Sequence, residues 1–353
     1  MVMMKMSKRY VIVDISNLLF RSLYGVKAKN AEEGAANAFF MAITNMKNAW
    51  RLFNPDHIVV AFDGNSWRKD VYPEYKANRK EYKTDYERQV REMIGDIMNK
   101  FQMYLETKTN ITSIRAPRAE ADDVIAHWVQ QHPNDEHFIL TNDSDFRQLL
   151  DDNVTLYDSM TMQLVRNDGV WYRDKTPRQL RARLNQPKKT IHGLEWKGFP
   201  ERNSKKEIIK EQVIVEPAFM LFMKIMRGDV SDNITRAAPL RYPIKKLREC
   251  FNDPSGKLMT GLMDRKQTAE KDVDDPTVGE LFVRNATLID LTMIPDFVKE
   301  QIDDAIEAQQ NIKIPRMMEA EFKRFCREHD LISLDDNSAN FLPMLFSKDK
   351  AHA

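Results

Sequence analysis

Short apolar runs alternate with longer stretches of helical spacing over the first half of the chain. Residues 10–15 (YVIVDI) and 57–62 (HIVVAF) are unbroken apolar runs with β-branched residues, each meeting an aspartate at its carboxyl end. Residues 111–116, 138–141 and 153–157 repeat the pattern and predict third, fourth and fifth strands, with a polar hairpin near 167–169. Between them, Phe39, Ile43, Met46, Trp50 and Phe53 recur at helical spacing and predict a helix over 35–53. Residues 85–105 and 119–131 read as further helices, the latter with an acidic first turn that complements the helix dipole. Strands alternating with helices predict an α/β fold with a mostly parallel central sheet flanked by helices, over residues 8–173.

After residue 174 the pattern changes. Residues 174–211 hold eleven Lys/Arg against five Asp/Glu and several prolines, which predicts a basic, partly irregular insertion over 174–214. Trp196 within it is expected to tuck against the domain rather than face a nucleic acid. Residues 216–227 predict an apolar helix, the region 215–330 is helical, and 331–353 is assigned as a tail with a disordered end. The apolar patch 341–346 (FLPMLF) either docks a replication partner or, as expected here, folds back on its own domain.

The total charge adds little, since 54 Lys+Arg nearly balance 53 Asp+Glu, and the distribution matters more than the sum. No run approaches the ~18 apolar residues of a membrane span. The opening residues lack the apolar core of a signal peptide. Cys250 and Cys326 are too far apart in sequence for a metal-type pair, which fits a reducing cytosol.

Candidate chemistry lies in the acids, which come in five groups beside apolar segments: Asp14; Asp63; Glu120, Asp122 and Asp123; Asp143 and Asp145; Asp229 and Asp232. A single aspartate after a strand is usually a turn or helix cap. Five coincident groups are harder to explain that way. Parallel sheets place ligands at the carboxyl ends of their strands, where Asp14, Asp63 and Asp143 fall. Carboxylates gathered there would repel and shift upward in pKa unless cations were present. Oxygen donors without paired Cys indicate Mg²⁺ or Mn²⁺, and two such ions ~4 Å apart can activate water and stabilise the leaving oxygen of a phosphodiester.

The segments VIVDISNLLFRS, VVAFDG, YPEYKANR, EADDVIA, TNDSDFRQLL and RGDVSDNI, in this order, resemble the flap endonuclease/5′-nuclease family over roughly residues 8–250. That family includes phage 5′-exonucleases, phage ribonuclease H-type enzymes and the 5′-nuclease domain of DNA polymerase I. The resemblance implies a PIN-like core with a helical C-terminal DNA-binding portion and a short helical arch near 68–92. It implies that Asp14, Asp63, Glu120, Asp122, Asp143 and Asp145 form the metal cluster, with Asp123 as an extra acid and Asp229 and Asp232 completing the second metal's surroundings. Geometry qualifies this: Glu120 and Asp123 share a helix face, so Asp122 reaches a common centre only if the chain is still entering the helix there.

By the same resemblance, Lys76 and Arg79 contact the scissile phosphate, Tyr75 stacks on a base, and Arg68 and Lys69 contact phosphates; Asp145 is needed for catalysis. The implied reaction is hydrolysis of 5′ flaps, nicked duplexes or RNA primers on DNA, in replication or repair. An acting-on-RNA nuclease and a non-catalytic nucleic-acid-binding protein are the alternatives. The chain departs from the family after RGDVSDNI, where TRAAPLRYPIKKLRECF lacks the glycines of a helix–hairpin–helix. Arg241, Lys245 and Lys246 are expected to replace that backbone grip with side-chain charge, and the K⁺ site usual there is in doubt. This altered hairpin, in a chain without a polymerase, suggests a bacteriophage source and hence the host cytoplasm.

Overall fold

Five parallel strands form the centre of the molecule: β1 (Arg9–Asp14), β2 (His57–Ala61), β3 (Thr112–Ile114), β4 (Glu136–Leu140) and β5 (Val154–Asp158). The computed structural model describes residues 7–23, 28–80, 84–173, 187–202, 207–210, 212–267, 275–310, 312 and 317–346. The first part of the basic insertion, residues 81–83 of the expected arch, and the end of the tail lie outside the described residues.

β1 is central, pairing Val11 with Ile58 on one side and with Phe138 on the other. Its side chains are buried on both faces, which is why the run is apolar without alternation. Val11 and Val13 join one core; Tyr10 and Ile12 join the other. The order β3-β2-β1-β4-β5 means that the chain leaves β1 in one direction and returns on its other side. The switch point between β1 and β4 opens a crevice at the strands' carboxyl ends.

Helices cover both faces. On one lie α1 (Ile15–Leu23), α2 (Ala31–Phe53) and α4 (Asp85–Lys108); between α2 and α4 comes the single turn α3 (Arg68–Val71). Asn30 caps α2 by accepting the Glu33 N–H at 2.9 Å, and Thr84 caps α4 through Glu87 N–H. Each cap contributes about 1 kcal/mol. The other face is covered by α5 (Ala121–Gln131) and, unexpectedly for so distant a segment, a C-terminal helix that buries Val298 and Ile302.

The sheet is larger than the sequence pattern indicates. β6 (Gln163–Arg166) and β7 (Gly169–Tyr172) form the expected hairpin, and β8 (Lys188–Ile191) with β9 (Leu194–Gly198) extend it antiparallel to a nine-stranded mixed sheet. Part of the expected irregular insertion is therefore sheet. Trp196 is buried and donates to Ile191 O, as expected of a residue tucked against the domain. A small ribbon, β10 (Glu201–Arg202) with β11 (Ile208–Lys210), follows.

The helical part comprises α6 (Pro217–Arg227), α7 (Ile244–Asn252), α8 (Lys257–Met263), α9 (Val278–Ile289) and α10 (Asp296–Gln310), the last being the helix laid against α5. Three further helices, α11 (Met318–Glu328), α12 (Ile332–Asp336) and α13 (Leu342–Leu345), pack on α2 and α4. The assignment of 331–353 as a tail is thus corrected for residues 331–346. Phe341, Met344 and Leu345 are buried, and Leu345 O accepts from Asn110 N–H at 2.9 Å. The 341–346 patch folds back and is unavailable to a partner, because the apolar surface of α2 and α4 needs covering. No helix among the described residues is long and apolar enough to cross a membrane.

Candidate active site

Seven of the nine candidate acids line one cavity of about 790 Å³ at the carboxyl end of the sheet: Asp14, Asp63, Asp122, Asp143, Asp145, Asp229 and Asp232. Asp14 is the last residue of β1 and accepts from Asn17 N–H at 3.0 Å. Asp63 follows β2 and accepts from Ala121 N–H at 2.9 Å. Beside it, Gly64 passes so close to the chain that a Cβ would lie 2.0 Å from Ala116 O, so only glycine fits. Asp143 follows β4 and accepts from Asp145 N–H. Asp229 and Asp232 sit on a turn closed by the Asp229–Ile234 bridge, where Gly228 adopts φ 69°.

Two acids stand elsewhere. Glu120 is the N-cap of α5, so the chain is indeed still entering the helix and Asp122 reaches the cavity. Glu120 and Asp123, on their shared face, turn to Arg68 instead. Asp123 is fully buried and paired with that guanidinium, so its assignment to the metal cluster is corrected. Glu120 does not line the cavity; it bonds Arg68, Tyr75 and Lys76. Burial would raise its carboxyl, but the Lys76 and Arg68 charges and the Tyr75 hydrogen bond hold it below the ordinary range.

Two nucleic-acid assignments are corrected as well. Arg68 is 2% exposed, with Nε donating to Leu288 O, and cannot meet a phosphate. Tyr75 is 3% exposed and its hydroxyl donates to Glu120 and Asp232, so it is not a stacking platform. Burial and the Glu120 charge push that phenol far upward, which keeps it a donor. Both residues were misplaced because a basic-aromatic stretch reads as surface until a partner acid and a covering helix are seen. Lys69 is exposed, as are Arg241, Lys245 and Lys246, which lie outside the cavity on the α6–α9 layer.

Lys76 and Arg79 do reach the cavity. Their segment is fastened to the Asp229–Ile234 turn: Lys76 N–H donates to Asp232 O, Asn78 Nδ2 to Val230 O, and Asn233 Nδ2 to Glu74 O. Lys76 is held at φ 56°, a conformation that costs a non-glycine residue energy and collects at functional sites. Its ammonium bonds Glu120, and Arg79 pairs with Asp232. The sequence reading missed Lys224, whose ammonium bridges Asp145 and Asp229 and lies 2.7 Å from the latter. Its signal was a cation within the apolar run of α6, one turn ahead of the terminal Arg227. Arg147 was missed too; burial alone pulls its guanidinium below its ordinary value.

The charge is unevenly compensated. Lys76, Arg79 and Lys224 serve Glu120, Asp145, Asp229 and Asp232, and Lys224 helps hold the Asp229 carboxyl at about 2 despite burial. Among the described residues, Asp14, Asp63, Asp122 and Asp143 have no ion-pair partner. Burial and then the Asp63 charge push Asp14 up to about 7. Burial and Asp14 raise Asp122 well above the ordinary range. Burial and Asp143 keep Asp145 raised although Lys224 touches it. Such a group of oxygen donors without ion-pair partners fits a hard divalent cation. No three acids among the described residues already stand in a coordinating arrangement, so ligation requires side-chain rotation.

Residues 9–176 match the family described as the 5′-3′ exonuclease, N-terminal resolvase-like domain. DNA polymerase I of Caldicellulosiruptor bescii is 27% identical over 256 residues, covering 68% of this chain and 28% of that protein. Flap endonuclease Xni of a Shewanella species (strain W3-18-1) is 32% identical over 159 residues, covering 44% of this chain and 56% of that protein. The chain thus spans just over half, or less, of the length of these relatives. Among solved structures, the T5 D15 protein co-crystallized with metal ions superposes with a TM-score of 0.54 at 18% identity, over 84% of this chain and 98% of that one. The two share the fold.

Proposed function

We propose, from the match of residues 9–176 to the 5′-3′ exonuclease N-terminal domain family, that this chain is a metal-dependent, structure-specific 5′ nuclease. The observation that carries the proposal is the cavity into which five chain segments bring seven carboxylates, four of them without an ion-pair partner among the described residues, with cations at the rim. The substrates are DNA with 5′ flaps, nicks or annealed RNA primers, and the role is replication or repair.

Asp14, Asp63, Asp122 and Asp143 would hold one divalent cation, and Asp145, Asp229 and Asp232 would complete a second site; Mg²⁺ is the natural ion and Mn²⁺ the substitute. Bound there, such ions lower the pKa of water and offset charge on the leaving oxygen. The chain's own residues do the positioning. Lys76, on its strained and fastened turn, holds an ammonium over the cavity where negative charge develops on the phosphate. Arg79, exposed beside it, contacts the adjoining phosphate. Lys69 on one flank and Arg241, Lys245 and Lys246 on the α6–α9 layer hold the duplex at a distance from the cut. Buried, unpaired Cys250 and Cys326 suit work in a reducing cytoplasm.

The test is incubation of a 5′-labelled flap duplex and a matched RNA–DNA hybrid with the protein in Mg²⁺, Mn²⁺ or EDTA. Short 5′ products in either metal and none in EDTA are expected, and the ratio of the two substrates ranks DNA against RNA. No product from either substrate in any metal would overturn the proposal.

A further inference from the structure

Six cationic side chains line the cavity: Arg21, Lys76, Arg79, Arg91, Arg147 and Lys224. Five have a carboxylate. Arg21 closes on Asp158 with two hydrogen bonds of 2.7 and 2.9 Å, and Arg91 reaches Glu87 at 3.2 Å. Lys76, Arg79 and Lys224 have the partners already described. Arg147 is the exception: among the described residues its guanidinium meets no acceptor, although the side chain is half-buried.

The position is built, not incidental. Arg147 lies two residues beyond Asp145 on a 3-10 turn, Asp145–Leu149. Phe146 anchors that turn in the core, and Gln148 ties it to Ile289 O and Leu291 N. Met220 and Leu221 of α6 line the same cavity. The Arg147 donors face the cavity and, among the described residues, are taken up by no carboxylate, so an anion entering the cavity can take them. Its planar fork fits two phosphate oxygens better than an ammonium does. Lys76 and Arg79 come from the segment before α4, whereas Arg147 comes from the turn after β4, so the two sets approach the acids from different elements.

We propose that Arg147 binds a backbone phosphate of the nucleic-acid strand in the cavity and so fixes the register of that strand against the carboxylates. This rests on the nuclease reading. Arg147 is a positioning residue, and its contribution is to binding rather than to the reacting atoms.

The experiment measures binding of a fluorescent 5′-flap duplex in Ca²⁺ and in EDTA across a KCl series, for the unmodified chain, R147M and R147K. R147M keeps an unbranched side chain of similar length and removes the charge together with the guanidinium donors. One lost phosphate contact lowers the slope of log affinity against log salt by about 0.7 to 0.9 and weakens binding about five- to tenfold. R147K, which keeps the charge, retains the slope. An R147M slope equal to that of the unmodified chain overturns this inference alone. An unmodified chain that binds no flap duplex in either condition overturns this inference together with the nuclease reading.

Discussion

Arg68 grips Asp123 with both prongs of its guanidinium, Nη2 to Oδ1 at 2.7 Å and Nη1 to Oδ2 at 2.9 Å, and both side chains are closed off from solvent. The same guanidinium bonds Glu120 at 3.1 Å and Leu288 O at 2.8 Å. It therefore joins the segment after β2, the start of α5 and the end of α9 in one polar knot beneath the cavity. Removing one partner strands a buried charge. Asp123→Ala is expected to lower unfolding stability by about 3–5 kcal/mol in urea, while metal affinity of the folded fraction stays near that of the unmodified chain. A D123A protein of normal stability with abolished metal binding would restore Asp123 to the metal cluster.

The four acids without an ion-pair partner among the described residues set function against stability. Asp122→Asn relieves repulsion in the metal-free protein, so its thermal midpoint in EDTA should rise. The same change should reduce the further rise produced by Mg²⁺ and lower cleavage roughly 100-fold or more. Calorimetry with and without the metal reads both effects, and a midpoint that falls in EDTA would contradict the repulsion argument.

Tyr75 distinguishes packing from stacking. Its hydroxyl bonds Glu120 at 2.9 Å and Asp232 at 3.2 Å. Tyr75→Phe keeps the ring and leaves two carboxylates short of a donor, which should cost about 1–3 kcal/mol of stability. Flap-duplex affinity should be unchanged. If instead Y75F is as stable as the parent and Tyr75→Ala weakens binding, the ring contacts a base after all.

Acid sensitivity should centre on Glu136 at the start of β4. Burial would raise its carboxyl, but His192 and Arg9 hold it at about 2, below the ordinary 4.5. A group depressed in the folded state stabilises the fold above its unfolded pKa and loses that contribution as pH falls toward the folded value. Unfolding free energy should thus decline between pH about 4.5 and 2. Glu136→Gln should cost about 1–2 kcal/mol at neutral pH, discounted for the partly exposed pair, and flatten the decline in that window. Parallel pH profiles for the two proteins would remove Glu136 from the explanation.

The amino-acid sequence alone determined the parallel core and the place of the acids. Apolar runs buried on both faces can only be central strands, and an aspartate ending such a run must fall on one edge of the sheet, as Asp14 does. Local helix geometry also placed Glu120 and Asp123 on a common face. What occupies that face is a non-local matter. Only the folded chain brings Arg68 there, more than fifty residues away in sequence, and turns two candidate ligands into structural ion-pair partners. The same holds for Tyr75, Lys224 and Arg147, whose roles depend on which carboxylates other segments deliver within reach. The return of residues 317–346 onto α2 and α4 belongs here too. A helix pattern shows that a face is apolar, and burial against a distant element decides which surface it covers.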